Sequence, residues 1–311
     1  LGDVYKRQTC PFPNPEIKEA LAKGLELCNV VKPDLLLATD PDCDRVGIAV
    51  PSDNGYELFT GNEVGAMLLE YICSERTKMG TMPADPVAVK TIVTTDIAAK
   101  IAKEYGVKLI EVLTGFKFIG EQIGFLEDKG QEDRYIFGFE ESYGYLAGSY
   151  VRDKDAVVAS MLICEMAAFY RTKGISLIQA RENMYKKYGV YVHSQSSFVC
   201  EGVTGMERMK EIMSDLRTNT PKTIGGLTVT RFEDYLASTS VDTATGAKTM
   251  LTLPKSDVLT FKLTDGASVI IRPSGTEPKI KAYYTTTGTT KAEAAALEKT
   301  ISDDFAKILG F

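Results

Sequence analysis

Three carboxylates at alternate positions, Asp40, Asp42 and Asp44, follow the apolar run Leu35-Leu36-Leu37-Ala38 and lead into Arg45. Acidic side chains crowded in one loop raise one another's proton affinity, so the cluster is costly unless a cation neutralises it. Hard oxygen donors of this kind suit Mg²⁺ or a relative. The alternation also begins as a calcium loop does, but such a loop needs Gly at its sixth position and a carboxylate at its twelfth. Here those positions are Arg45 and Pro51, and the calcium reading fails. Arg45 beside the carboxylates suggests that an anion, most simply a phosphate, belongs next to the metal. Without a cation the same residues would be a solvated acidic turn.

A second constellation is Arg272-Pro273-Ser274-Gly275-Thr276-Glu277-Pro278-Lys279-Ile280-Lys281. A strand running into a Gly turn exposes backbone N–H groups, Ser274 and Thr276 add hydroxyls, and Arg272 and Lys281 add positive charge. Together they form an anion cradle suited to phosphate. The plain alternative is a hydroxyl-rich hairpin turn. Cys43 is a poor nucleophile, because its acidic neighbours raise the thiol pKa. His193 is the single histidine, which excludes multi-His metal sites. Its alternating context, Tyr191-Val192-His193-Ser194, reads as a structural strand.

The elements that must position these groups follow from periodicity. Pro15 after Asn14 is expected to open a helix to about Asn29, with Ile17, Leu21, Leu25 and Cys28 on one face. The Leu35 run then reads as a buried strand, followed by the acidic loop, a strand over Val46–Val50, a turn at Asp53-Asn54-Gly55, and a helix over about Glu63–Glu75. From Val87 the rhythm is strand, helix, strand, helix: Val87–Val93, a helix capped near Thr95-Asp96, Val107–Val112, a helix from about Lys117, Tyr135–Phe139, and a long buried helix over Asp155–Lys173. Such βαβ order implies a mainly parallel sheet with ligands at the strand carboxyl ends. The loops Thr114-Gly115-Phe116-Lys117 and Glu140-Glu141-Ser142-Tyr143-Gly144 lie at those ends. After Cys200 come a helix over Met206–Leu216, short strands over Leu227–Phe232, Val258–Leu263, Ser268–Arg272 and Ile280–Tyr284, and a last helix over Lys291–Leu309. Turns at Asp265-Gly266 and Ser274-Gly275 indicate an antiparallel sheet.

The chain has 311 residues, 44% hydrophobic and 25% charged, and a net charge of −6. It is long enough for two or three domains with real cores. The acidic balance and the lack of a dense Lys/Arg stripe argue against nucleic acid as a partner. The longest apolar stretch, 156–170, is broken by Glu165 and too short to span a bilayer, so no membrane partner is expected. Six scattered cysteines without a Cys-x-x-Cys pair suggest a reducing, cytoplasmic setting. The start, Leu1-Gly2-Asp3-Val4, carries neither Met nor a signal sequence and looks like the edge of a fragment. The expected organisation is a non-native leader over 1–8, an α/β domain with the acidic metal loop over 9–82, a βαβ domain over 83–200 and an α+β domain with the phosphate cradle over 201–311. The fold class is α/β, with Rossmann-like βαβ domains followed by a small α+β domain.

Taken together, these stretches resemble the α-D-phosphohexomutase family and, within it, the phosphoglucomutases. Asp40 to Arg45 resembles the family's magnesium loop, and Gly138-Phe139-Glu140-Glu141-Ser142-Tyr143-Gly144 its sugar-specificity loop. Thr114 to Lys117 resembles the segment whose lysine contacts substrate, and Arg272 to Thr276 the phosphate loop of the last domain. Val151-Arg152-Asp153-Lys154-Asp155 resembles the stretch after the sugar loop, where Arg152 would help hold phosphate. The resemblance runs from Cys10 to the end. It implies a monomeric enzyme acting on a small sugar phosphate, with one Mg²⁺ and glucose 1,6-bisphosphate as activator and intermediate. Asp40, Asp42 and Asp44 would hold the metal with Arg45 assisting. Lys117 would act as general acid or electrostatic contact, Glu140 and Ser142 would grip sugar hydroxyls, and Arg272, Ser274, Gly275, Thr276 and Lys281 would hold the non-reacting phosphate. Glu141 and Tyr143 would shape the loop.

The departure is the absence of the family's Ser-His-Asn segment, whose phosphoserine donates the phosphoryl group. The first domain and the opening of the second are therefore expected to be missing, and the chain alone to be inactive. A haloacid dehalogenase phosphatase also carries an aspartate pair after a hydrophobic strand, but the second residue after that pair is usually Thr or Val, and here it is Asp44. Phosphomannomutase or phosphopentomutase activity, and a non-catalytic phosphosugar-binding module, stand as alternatives.

Overall fold

The computed structural model describes residues 10, 12–200, 202, 204–275 and 277–311. The chain divides into two units, 1–188 and 189–311. Among the described residues, no helix is long and apolar enough to cross a membrane.

The first unit opens with a 3₁₀ turn, Lys18–Leu21, and α1, Ala22–Val31. One helix from Pro15 does not form, because Pro15 is packed on the second strand: a Cβ on Gly47 would sit 2.7 Å from the Pro15 carbonyl oxygen. Asn14 caps a turn instead, its Oδ1 accepting from the Glu16 amide at 2.9 Å, and Ile17 stays extended. Strands β1 (Leu36–Thr39), β2 (Val46–Ser52) and β3 (Gly55–Phe59) form an antiparallel sheet in that order. β2 is buried over its first five residues, whereas β1, expected to be buried, is only half-buried. Among the described residues it pairs on one side alone, with β2.

Helix α2, Gly61–Met79, is the axle of this unit. Thr60 and Glu63 close a capping box at its start, which satisfies two otherwise orphaned amides. Gly65 lets the Phe139 ring lie against it, since a Cβ there would meet that ring at 2.0 Å. The βαβ rhythm appears as β4 (Val87–Thr91), α3 (Ile97–Glu104), β5 (Lys108–Val112), α4 (Phe116–Glu127), β6 (Tyr135–Glu140) and β7 (Gly144–Leu146). The sheet order is β5-β4-β6-β7, parallel across β5, β4 and β6, with β7 folding back antiparallel on β6. Helices α5 (Ala156–Thr172) and α6 (Leu177–Tyr188) complete the unit. α5, expected as a buried helix, buries the stripe Ala156, Ala159, Ile163 and Met166, while Val157 and Met161 are exposed. α6 was not foreseen. Its apolar and aromatic residues Leu177, Ala180, Met184, Tyr185 and Tyr188 recur at helical spacing and form its buried face.

The second unit consists of β8 (Val190–Val199), α7 (Gly205–Thr218), β9 (Thr223–Ile224), β10 (Leu227–Asp234), β11 (Thr239–Asp242), β12 (Lys248–Met250), β13 (Leu259–Leu263), β14 (Ser268–Pro273), β15 (Lys279–Gly288) and α8 (Lys291–Leu309). Its sheet runs β12-β11-β10-β13-β14-β15-β8, with β9 beside β10 and every pairing antiparallel. α7 and α8 contribute Met209, Met213, Ile301 and Phe305 to a core shared with Phe261 and Tyr284. β8 belongs here through ten residue pairs with β15, and the unit therefore starts at Gly189 rather than after Cys200. His193 is a strand residue, with Nδ1 3.1 Å from Thr285 Oγ1.

Candidate metal and sugar-phosphate site

The acidic loop is a tight backbone knot. Asp40 Oδ1 accepts from the amides of Asp44 (3.1 Å) and Arg45 (3.0 Å), and Cys43 takes a left-handed φ of 58°, with its amide donating to Asp40 O at 3.1 Å. This curls the loop so that ligand atoms of Asp40, Asp42 and Asp44 lie within 4.8 Å of one another. Asp44 Oδ1 is buried with no hydrogen-bond partner among the described residues. An orphaned carboxylate oxygen within a set of hard donors fits Mg²⁺.

Two further segments close on this loop. The amide of Val46 donates to Tyr143 O at 3.1 Å, and Arg45 bridges Gly144, so the sugar loop is stitched to the end of the acidic loop. The amide of Ala156 donates to Cys43 O at 3.2 Å, which brings the start of α5 alongside. Asp155 caps that helix by accepting from the amides of Val157 and Val158. The residue just before the cap, Lys154, reaches Asp44 Oδ2 at 2.5 Å. Its stem crosses Gly144, where a Cβ would meet Lys154 Cδ at 2.7 Å and Glu140 Oε1 at 2.9 Å.

Charge is unevenly shared in this cluster. Burial, reinforced by Asp44 and Asp42, lifts the Asp40 carboxyl above its ordinary value despite the hydrogen bond from the Arg45 amide. Burial also opposes ionisation of Asp44, but Lys154 and Arg45 outweigh it and hold that carboxyl low. Glu140 is 5% exposed, and burial raises its pKa against the pull of Lys154, Ser142 and Arg45. Burial would lower the Lys154 amine, yet Asp44, Asp153 and Glu140 raise it on balance. Arg45 is shared between Glu16 Oε1 (3.4 Å) and more distant contacts with Asp40 (3.8 Å) and Asp44 (3.9 Å).

Thus Asp40, Asp42, Asp44, Arg45, Glu140 and Ser142 come together. Lys154, one of the charges in the Val151–Asp155 stretch, joins them through Asp44. Arg152 instead pairs with Glu127 and donates to Ser149 O. Lys117 is exposed in the first turn of α4 with its amine 4.9 Å over the Phe118 ring, and among the described residues it forms no ion pair.

In the second unit Arg272 and Lys281 are cross-strand partners on β14 and β15. Arg272 donates to Tyr283 Oη from Nε (3.3 Å) and Nη2 (3.1 Å). The amide of Ser274 donates to Lys279 O at 2.8 Å, Ser274 Oγ accepts from the Glu277 amide at 3.3 Å, and Lys279 pairs with Glu277 at 2.5 Å. Gly275 is exposed, with open space where a Cβ would stand. Thr276 lies outside the described residues.

Three family domains match the chain in succession: phosphoglucomutase/phosphomannomutase α/β/α domain II over residues 6–54, α/β/α domain III over 60–188 and the C-terminal domain over 217–303. The chain belongs to the α-D-phosphohexomutase family. Phosphoglucomutases of Staphylococcus aureus are 38% identical over 271 residues, 87% of this chain and 48% of theirs. The chain thus spans about half the length of the curated relatives it matches. Among solved structures, the parafusin phosphoglucomutase of Paramecium superposes with a TM-score of 0.67 at 20% identity, over 96% of this chain and 50% of that one. A putative phosphomannomutase of Thermus thermophilus gives 0.61 at 20% identity, over 96% and 51%. Both share the fold.

Proposed function

We propose that this chain carries the metal, sugar and phosphate sites of a phosphoglucomutase that interconverts glucose 1-phosphate and glucose 6-phosphate through glucose 1,6-bisphosphate. The observation that carries the reading is the gathering of Asp40, Asp42 and Asp44 within 4.8 Å, with Lys154 linking Asp44 to the sugar loop. The 38% identity to phosphoglucomutases favours glucose over mannose or ribose phosphates. Asp40, Asp42 and Asp44 would hold one Mg²⁺, which when bound neutralises phosphoryl oxygens as a Lewis acid.

The chain's own residues take the remaining tasks. Glu140 and Ser142 hydrogen-bond sugar hydroxyls. Lys154, kept protonated by its acidic neighbours, stabilises negative charge rather than accepting a proton. Arg272, Ser274, Gly275, Thr276 and Lys281 hold the phosphate that is not transferred, while Lys117 and Arg152 supply longer-range positive charge. None of these groups is suited to carry a phosphoryl group, because the carboxylates are committed to the cation and the hydroxyls to binding. The carrier would be a phosphoserine of the full-length protein: its phosphoryl passes to one sugar hydroxyl, and the other phosphoryl returns to the serine. The protein would act as a cytoplasmic monomer.

A dehydrogenase-coupled assay with Mg²⁺ and glucose 1,6-bisphosphate tests this. The full-length protein should turn over glucose 1-phosphate and lose that activity with Asp42→Asn, while residues 1–311 alone should not. Sustained turnover by the chain alone, abolished by Ser142→Ala or Ser274→Ala, would place the nucleophile here and overturn the reading.

A further inference from the structure

Glu140 ends β6, and Glu141 and Tyr143 after it are anchored from two neighbouring strands and a helix. Lys90 of β4 pairs with Phe139 of β6, so Thr91, at the end of β4, comes level with the start of the sugar loop. Its hydroxyl donates to Glu141 Oε2 at 3.3 Å and lies 2.7 Å from Thr94 Oγ1. With the Thr91 proton directed to the carboxylate, Thr94 is the donor of the second bond, and the two hydroxyls form a short relay. Thr91 is fully buried and Thr94 is 3% exposed.

The loop backbone is seated at the same point. A Cβ on Gly61, the first residue of α2, would lie 2.2 Å from Glu141 O and 2.8 Å from Tyr143 N, so helix and loop touch backbone to backbone. Tyr143 turns through a left-handed φ of 65° and presents its carbonyl to Val46. Gly61 and Val46 fix backbone atoms, whereas the Thr91 hydroxyl fixes the Glu141 side chain. A buried hydroxyl could have been satisfied by any nearby carbonyl. Here it meets a carboxylate at 3.3 Å, longer than the usual O–H···O distance but with a charged acceptor.

We propose that Thr91, acting through Glu141, is a positioning residue for Glu140, and that the Thr94–Thr91–Glu141 relay sets the direction in which Glu140 meets the sugar. This rests on the reading of Glu140 as an acceptor for sugar hydroxyls.

The test compares Thr91→Val, which keeps the shape and removes the hydroxyl, with Thr91→Ser, which keeps the hydroxyl. Two quantities are measured on the 311-residue chain: amide hydrogen exchange of a peptide spanning residues 139–146, and calorimetric affinity for glucose 1-phosphate in the presence of Mg²⁺. Thr91→Val should accelerate that exchange about tenfold and weaken binding about tenfold, the size of one hydrogen bond to a charged group. Thr91→Ser should stay within about twofold of wild type in both. Equal acceleration by Val and Ser would show that the filling of the site matters rather than the hydroxyl, and no change with Val would show that the relay positions nothing. Either result overturns the proposal. If wild type fails to bind glucose 1-phosphate while exchange still responds to Val and not to Ser, the relay stands and the sugar reading of Glu140 falls. Should Thr91→Val abolish cooperative melting, Glu141→Met removes the acceptor from the other end, and unchanged exchange in that variant would equally refute the relay.

Discussion

The acidic loop and the 140–144 loop of the first unit and the Arg272–Lys281 hairpin of the second both gather charged side chains, yet they are held in opposite ways. The hairpin is local: Ser274 to Lys279, Ser274 to Glu277 and Lys279 to Glu277 all span a few residues. The acidic loop depends on distant partners, Lys154 on Asp44, Ala156 on Cys43, Tyr143 on Val46 and Glu16 on Arg45. The difference follows from charge density. Three carboxylates within 4.8 Å repel one another and need counter-charge from outside the loop, whereas a hairpin bearing mixed charge can satisfy itself.

The largest expected contrast lies in the glycines. Gly61→Ala should force the 141–143 backbone off α2 and cost about 1–3 kcal/mol, as overpacking does in a filled interior. Gly275→Ala, which meets nothing within 4 Å, should change stability by less than about 0.5 kcal/mol. Thermal or urea melting checks both, and equal effects would dissolve the distinction between a seated and a free loop.

A second contrast concerns recognition in the full-length protein. Glu140→Gln should lower kcat/KM for glucose 1-phosphate roughly tenfold to a hundredfold, because it removes a charge-assisted hydrogen bond worth ~1.5–3 kcal/mol. Arg272→Ala should weaken glucose, mannose and ribose phosphates alike and leave their ranking unchanged, since it reads phosphate only. Steady-state comparison of the three sugars decides, and a ranking altered by Arg272→Ala would mean that the hairpin also reads the sugar.

The smallest contrast is between two lysines. Lys154→Met should strengthen Mg²⁺ binding to the chain about threefold to tenfold, because it removes a cation competing for Asp44 in a partly buried setting. The side chains of that pair are 14% and 24% exposed. Lys279→Met breaks the more exposed pair with Glu277 and should leave Mg²⁺ affinity unchanged, with a stability effect below about 1 kcal/mol. Titration calorimetry reads both affinities, and weaker Mg²⁺ binding with Lys154→Met would show that the lysine organises the loop instead of competing for it.

Much of this protein was determined by sequence alone. Alternating carboxylates after an apolar run, the strand–helix rhythm from Val87 and the Gly-containing turn after Arg272 are local patterns, fixed by strand periodicity, hydrophobic spacing and turn chemistry. The last helix matches its expected span, Lys291–Leu309, because Thr290 caps it and Gly310 ends it in a left-handed turn. Other features were decided only when distant segments met. Pro15 reads as a helix start, but packed over Gly47 it lies in a turn with Glu16, and Ile17 is extended before the 3₁₀ turn. Val190–Val199 joined the second unit because β15 offers it a ten-residue edge, which no local signal encodes. Lys154 became part of the site, and Arg152 did not, because the Asp155 cap aims the preceding residue at Asp44 while Arg152 finds Glu127 on α4. Two cations two residues apart are equivalent in sequence, and only the packing of α5 against the acidic loop tells them apart.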